Sequence, residues 1–294
     1  MQHAVAWSGD VVVLQSARLS AYNTAFEGVE HVLSQDIPAR GPKSIQAHTI
    51  TSYILSEAKS PGQLRKDIIR QHPDLLLVIG SSSLSLVKNI TDIPILYLMV
   101  PYPELMVKTQ KNITGININV SAEQQLKALL HSIPQTKSVG LLYDRKQTGS
   151  IVQEAKEFTA GQNEISLIAV PVTRPNEVPG QLARLAHKVD CFWMLPDRTV
   201  LTPQTVDSIF LFSLENNIPI LTFSKKYLDM GAVLSVSFDS FDMGKQAGEL
   251  AIQILSKAKT GDIPPEKVRK VLVHKNHPAA EMLGIVLEGQ GDRE

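Results

Sequence analysis

One cysteine, Cys191, stands in the whole chain, and it sits within the apolar run Asp190 to Leu195. A lone cysteine excludes an intramolecular disulfide and any multi-cysteine zinc site, and its surroundings suit a small buried hydrophobe. Aromatic residues are scarce, at 5%, too few for a stacking platform along a nucleic-acid strand. Excess charge of either sign is missing: 29 Lys and Arg balance 29 Asp and Glu. A nucleic-acid binder normally carries a basic surplus, so none is expected as a partner. No apolar run reaches the ~18 residues that cross a bilayer. Met1 to Trp7 has neither the basic start nor the apolar core of a signal peptide.

Catalytic signatures are missing too. Neither GxGxxG nor GxxxxGK[ST] occurs, so the dinucleotide and phosphate-cradling loops are absent. Gly80-Ser81-Ser82-Ser83 resembles a nucleophile elbow only superficially, because the following glycine and a nearby base are lacking. His274 and His277 are close in sequence and read as a surface turn rather than a metal pair. No enzyme, cofactor or metal is expected.

What is present is alternation. Of the 294 residues, 43% are hydrophobic and 20% charged, as in an ordinary globular protein long enough for two cores. Strand-length apolar runs at 10–14, 45–53, 74–80, 93–100 and 113–119 are interleaved with helical patterns. Ser60-Pro61-Gly62-Gln63 and Ser121 with Gln124 read as capping boxes, and Ser150 and Thr202-Pro203 as helix starts. From Ser121 the series begins again, with strands at 138–143, 165–172, 190–195, 218–223 and 232–237. A strong helix from Met243, a strand at 268–274 and a short helix at 278–283 close it. Strand–helix alternation means parallel sheets with right-handed crossovers. Two series predict an α/β protein of two Rossmann-like lobes. Its expected division is 1–120 with 240–275, and 121–239 with 276–294.

Open parallel sheets bind ligands at the carboxyl ends of their strands. That rule selects the loops 15–20, 81–83 and 101–103 in the first lobe and 144–150, 196–199 and 224–227 in the second. Candidate ligand contacts there are Ser16, Arg18, Ser81, Ser82, Ser83 and Tyr102, with Tyr143, Asp197, Arg198, Phe223, Ser224 and Lys225. The three serines, placed before a helix, either hold an anionic group on free backbone N–H groups or simply cap the helix. Asp197 either meets a ligand ammonium or caps its own turn. Tyr102, Tyr143 and Phe223 either wall the ligand or belong to ordinary packing.

Several stretches carry a family resemblance in consistent order. These are Pro73 to Gly80, Ile93-Pro94-Ile95, Asn112-Ile113-Thr114-Gly115, Lys137 to Asp144, Lys188 to Val200, and Asp242-Met243-Gly244-Lys245-Gln246-Ala247-Gly248-Glu249. Together, over about residues 10 to 286, the chain resembles the bacterial ABC-transporter substrate-binding proteins related to tryptophan and tyrosine uptake receptors. The resemblance implies the type 1 periplasmic-binding architecture, with a small ligand in a cleft between the lobes. It further implies lobe closure and a membrane permease as partner. An extracytoplasmic location follows, with the leader absent from this chain. The sequence departs from the family on the binding loops: Ser81-Ser82-Ser83 replaces small residues, Tyr102 an aspartate, Arg198 an asparagine, and Lys225-Lys226 an acidic pair. The implied ligand is therefore an amino acid, aromatic or otherwise, or a small carboxylate. A sensor of the same fold coupled to a signalling partner is the alternative, and a cytosolic α/β enzyme a more distant one. A repressor core of this fold is disfavoured, because no helix-turn-helix precedes the first strand.

Overall fold

The computed structural model describes residues 9–34, 48–101, 103–107, 110–161, 165–256 and 260–289. The chain divides into two compact units, Met1–Asn119 with Phe238–Lys270, and Val120–Ser237 with Val271–Glu294.

In the first unit the strands are β1 (Asp10–Gln15), β2 (Thr49–Ile54), β3 (Leu75–Ile79), β4 (Ile95–Val100), β5 (Ile113–Asn117) and β11 (Glu266–Lys267). They form one sheet in the order β11-β5-β4-β3-β1-β2, and every neighbouring pair is parallel. β3 is Leu-Leu-Leu-Val-Ile, buried at all five positions. It has no polar face because helices cover both sides of a parallel sheet. On one side, Val12, Leu14, Leu76, Val78 and Ile95 form a core with Ile68 of α2 (Pro61–Arg70) and with Leu84 and Val87 of α3 (Ser81–Val87). Elsewhere in this unit, α1 (Ser20–Leu33) packs along α8 (Ser240–Leu255). That approach depends on glycine: a Cβ on Gly244 would lie 1.9 Å from the Ala25 carbonyl oxygen, and one on Gly28 would lie 2.2 Å from that of Phe241.

The second unit repeats the plan. Its strands are β6 (Ser138–Tyr143), β7 (Ser166–Pro171), β8 (Cys191–Trp193), β9 (Ile220–Thr222), β10 (Leu234–Phe238) and β12 (Val271–Lys275), ordered β12-β10-β9-β8-β6-β7. The pairs β6–β7, β6–β8, β8–β9 and β9–β10 are parallel. The helices are α4 (Ala122–Ser132), α5 (Gly149–Ala160), α6 (Val178–Leu185), α7 (Pro203–Asn216) and α9 (His277–Met282). Trp193, fully buried, donates its indole N–H to Gln125 of α4 at 2.9 Å, which satisfies the one polar atom of the largest core side chain.

Four local expectations are corrected. The strand expected over 268–274 starts later, as β12 in the second sheet, and an unexpected short strand, β11, precedes it in the first sheet, so residues 271–275 stand with the second unit. Arg269 and Lys270 lie between them and pair with Asp242, Glu249 and Asp239, a charge pattern that hydrophobic periodicity does not register. Helix α3 starts at Ser81, so the three serines occupy its first turn instead of preceding it. Ser150 does not cap α5: the residue in that position is Thr148, whose hydroxyl is engaged elsewhere. At Ser60, the Oγ accepts from the Gln63 N–H, but the Gln63 side chain turns to Asp67, so no reciprocal box forms. The reciprocal box at Ser121 and Gln124 does form.

Candidate functional site

In each sheet the strand order reverses once, between β1 and β3 and between β6 and β8. The loops leaving those strands diverge at their carboxyl ends and open a crevice, where ligands bind in folds of this kind. Both reversal points are bridged by side chains.

In the first unit the bridge is serine to serine. Ser16, just past β1, accepts the Ser83 backbone N–H at 2.9 Å, and its Oγ lies 3.1 Å from that of Ser83. Ser83 is fully buried. Its amide is thus already taken, while Ser81 is half-buried and Ser82 exposed. The turn before them rests on Gly80, with φ at 93°. Any L side chain there would be strained, and a Cβ would come within 2.7 Å of both the Ser16 Oγ and the Tyr22 hydroxyl. Tyr22 therefore stands at this point although the loop rule omitted it: it belongs to the first turn of α1, not to a loop. Burial pushes its phenol above the ordinary value. Arg18 is turned to a different task. It forms a two-pronged pair with Glu57, at 2.8 and 3.2 Å, with both side chains largely exposed. Tyr102 lies outside the described residues.

In the second unit the bridge is a buried carboxylate. Asp197 is 1% exposed and accepts four hydrogen bonds. The Asp144 N–H and the Thr148 hydroxyl reach Oδ2 at 2.7 and 2.6 Å, and the Thr199 and Val200 N–H groups reach Oδ1 at 2.9 and 3.2 Å. Such a carboxylate is saturated, so the expectation that it meets a ligand ammonium gives way to the alternative, a turn cap that also ties two loops together. Asp144 extends the same network. It accepts from the Lys146 N–H and the Thr199 hydroxyl, and these bonds hold its carboxyl below the usual value. Gln147 closes the network, donating to Thr199 at 2.6 Å and accepting the Arg198 N–H at 3.0 Å. Gln147 and Thr148 carry no chemistry in isolation, so only the paired loops reveal them.

With both aspartates occupied, the exposed charge on these loops is basic: Arg145, Lys146 and Arg198. Lys225 and Lys226 add to it on the loop after β9, with the Lys226 ammonium 4.6 Å from the centre of the Tyr227 ring. Ser224 is half-buried. Phe223 packs edge-on against Tyr227 at 5.6 Å between ring centres. Tyr143 ends β6 and is 6% exposed, which gives it more of a packing role than a wall. Among the described residues no group of three or more His, Cys, Asp or Glu side chains is placed to hold a metal. No helix among them is long and apolar enough to cross a membrane.

Known proteins resemble this chain in sequence and in fold. A "Tyrosine-binding protein" of Clostridioides difficile is 26% identical over 199 residues, which are 65% of this chain and 57% of that relative's length. The ligand-free, open structure of a substrate binding protein with adhesive properties from Clostridium difficile superposes with a TM-score of 0.73 at 22% identity, covering 97% of each chain. A Streptococcus pneumonia domain in complex with L-Trp superposes with a TM-score of 0.58 at 22% identity, covering 95% of each. These likenesses fix the fold as that of the periplasmic binding proteins of type 1. The model of the ABC transporter substrate binding protein family matches residues 39–290. That match spans most of the chain, and the chain belongs to the ABC transporter substrate binding protein family, whose members are binding proteins and not enzymes.

Proposed function

We propose that the chain is the extracytoplasmic receptor of an uptake transporter. It holds one small carboxylate-bearing solute, an amino acid of the tyrosine or tryptophan kind, through the loops at both reversal points, and closes on it. The observation that carries this reading is the pair of bridged crevices, Ser16 to Ser83 and Asp144 to Asp197. Their loops are fixed before a ligand arrives, which lowers the ordering cost of binding. The relatives named for tyrosine and L-Trp support the ligand class. The ligand carboxylate goes to the basic loops of the second unit, with Arg198 as its principal partner, and Ser81 and Ser82 supply hydroxyls from the first. Tyr22 adds a further hydroxyl there. A membrane permease receives the solute.

The test is native mass spectrometry of the purified protein followed by thermal-shift titration with tyrosine, tryptophan and small carboxylic acids. A ligand present at 100 times its Kd stabilises by about 2.7 kcal/mol, a shift easily read. Stabilisation by an amino acid that falls tenfold or more in affinity in Arg198→Ala is the expected result. The absence of any shift across amino acids and small acids sinks the proposal.

A further inference from the structure

Four large apolar side chains of the second unit are exposed close together: Leu211 at 55%, Leu214 at 52%, Met230 at 46% and Met282 at 72%. They line one groove of about 550 Å³ between α7, the loop 228–231 and α9, with the buried Leu228 and Leu283 beneath. Scattered exposed leucines are ordinary, but a contiguous patch of this kind marks an interaction surface. The walls are fixed in place by Asn276. Its side chain donates to the Leu228 carbonyl at 2.7 Å and accepts the Ala279 N–H at 3.0 Å, and its backbone N–H bonds Val233 at 2.9 Å. Val233 immediately precedes β10, so the groove adjoins the amino end of the sheet. The solute loops leave its carboxyl end, and the groove therefore serves something else.

Its surroundings are acidic. Asp229 lines it, Glu215 and Asp207 each stand four residues from Leu211 on α7, and Glu281 adjoins Met282; all four are exposed. Nearby basic groups are Lys225 and Lys226, the latter held over the Tyr227 ring, Lys275, which donates to the Gly289 carbonyl, and His277 at the start of α9. An anionic membrane surface is repelled by such a rim. A second copy in a two-fold contact would set like acids against one another. We propose that this groove docks an amphipathic helix of a partner protein, one with Leu- or Met-sized anchors on one face and Lys or Arg beside them. The anchors fill the trough and the cations meet the acidic rim, the helix-in-groove mode of recognition.

The probe is a labelled helical peptide of about 18 residues with leucine at i, i+3, i+4 and i+7 and lysine on its flanks. Fluorescence anisotropy is to be read against a version with glutamate in place of lysine. The lysine peptide is expected to bind at least tenfold tighter at low salt, with an advantage that shrinks as salt rises. The double variant Leu214→Asn, Met282→Gln is expected to lose tenfold or more of that binding with its urea midpoint unchanged, since both side chains are exposed. Equal binding of the two peptides, or binding untouched in the variant, overturns the proposal. So does a dimer in sedimentation, or flotation with phosphatidylglycerol vesicles, that the same variant abolishes: the occupant is then a second copy or a lipid surface.

Discussion

At the scale of single residues, Asp197 and Cys191 make opposed cases for what burial does to a reactive group. Asp197 is buried with four donors converging on it, so its loss leaves those donors without a partner. Asp197→Ala is expected to lower stability by about 2–4 kcal/mol, seen as a fall in the urea midpoint at constant slope. Weaker binding should follow equally for every ligand tested. Selective loss for ligands bearing an ammonium would restore the direct contact the sequence first suggested. Cys191 is fully buried, and burial pushes its thiol up to about 12. Because the thiolate is the reactive form, a thiol reagent at pH 8 should leave the native protein unlabelled and modify it only as it unfolds. Labelling at the rate of a free thiol without unfolding would contradict the burial. The sequence placed Ser16, Ser83 and Asp197 on loops at strand ends, but not the hydrogen bonds that occupy them. Saturation of a carboxylate depends on donors 49 to 53 residues away, at Thr148 and Asp144, and no local pattern encodes that.

At the scale of elements, the α1–α8 contact and the segment beyond β11 are the places to press. Gly244→Ala inserts a methyl group 1.9 Å from a backbone oxygen, so the two helices must separate. Overpacking of that sort costs about 1–3 kcal/mol or more, and a drop in thermal midpoint should report it. The run Gly244 to Gly248 was legible as a motif, yet its reason was not, because the small residue matters only against Ala25 and Gly28 on another helix. Before β12, Arg269 grips Asp242 at 2.9 Å and Glu249 at 2.7 Å, while Lys270 meets Asp239 at 2.6 Å. The Arg269 guanidinium holds the Asp242 carboxyl below the usual range, and Lys270 does the same for Asp239 against the opposing cost of burial. A carboxyl whose folded pKa is depressed stabilises above its unfolded value, near ~3.9, and that contribution is lost as pH falls through the folded value. Asp242→Asn should therefore flatten the acid limb of the stability curve below about pH 4 and leave its shape at neutral pH unchanged. An acid limb identical to that of the parent protein would remove Asp242 from the account. Strands and helices with one clear apolar face were read off the sequence, β12 among them although begun three residues early at Val268; β11 was not, since its two residues, Glu266 and Lys267, are both charged and carry no apolar pattern.

At the scale of the whole molecule, the proposed receptor function carries the expectation of closure. Small-angle scattering with saturating ligand should show a smaller radius of gyration than without, as hinged binding proteins do. An unchanged radius with binding established by calorimetry would leave recognition in place and remove the hinge.

The division of the chain has a consequence for its birth. The first unit is built from Met1–Asn119 and from Phe238–Lys270, so α8 and β11 reach it only after β6 to β10 and α4 to α7 of the second unit have been synthesised. Helix α1, whose Gly28 face is shaped to meet Gly244, must wait for its partner while more than 200 intervening residues are translated. At ordinary rates that is roughly 10–40 s, long compared with the folding of a small domain. Nascent chains stalled before residue 238 should thus leave the first unit open to protease while 120–237 is already resistant, and the half-made sheet is where a holding chaperone would be needed.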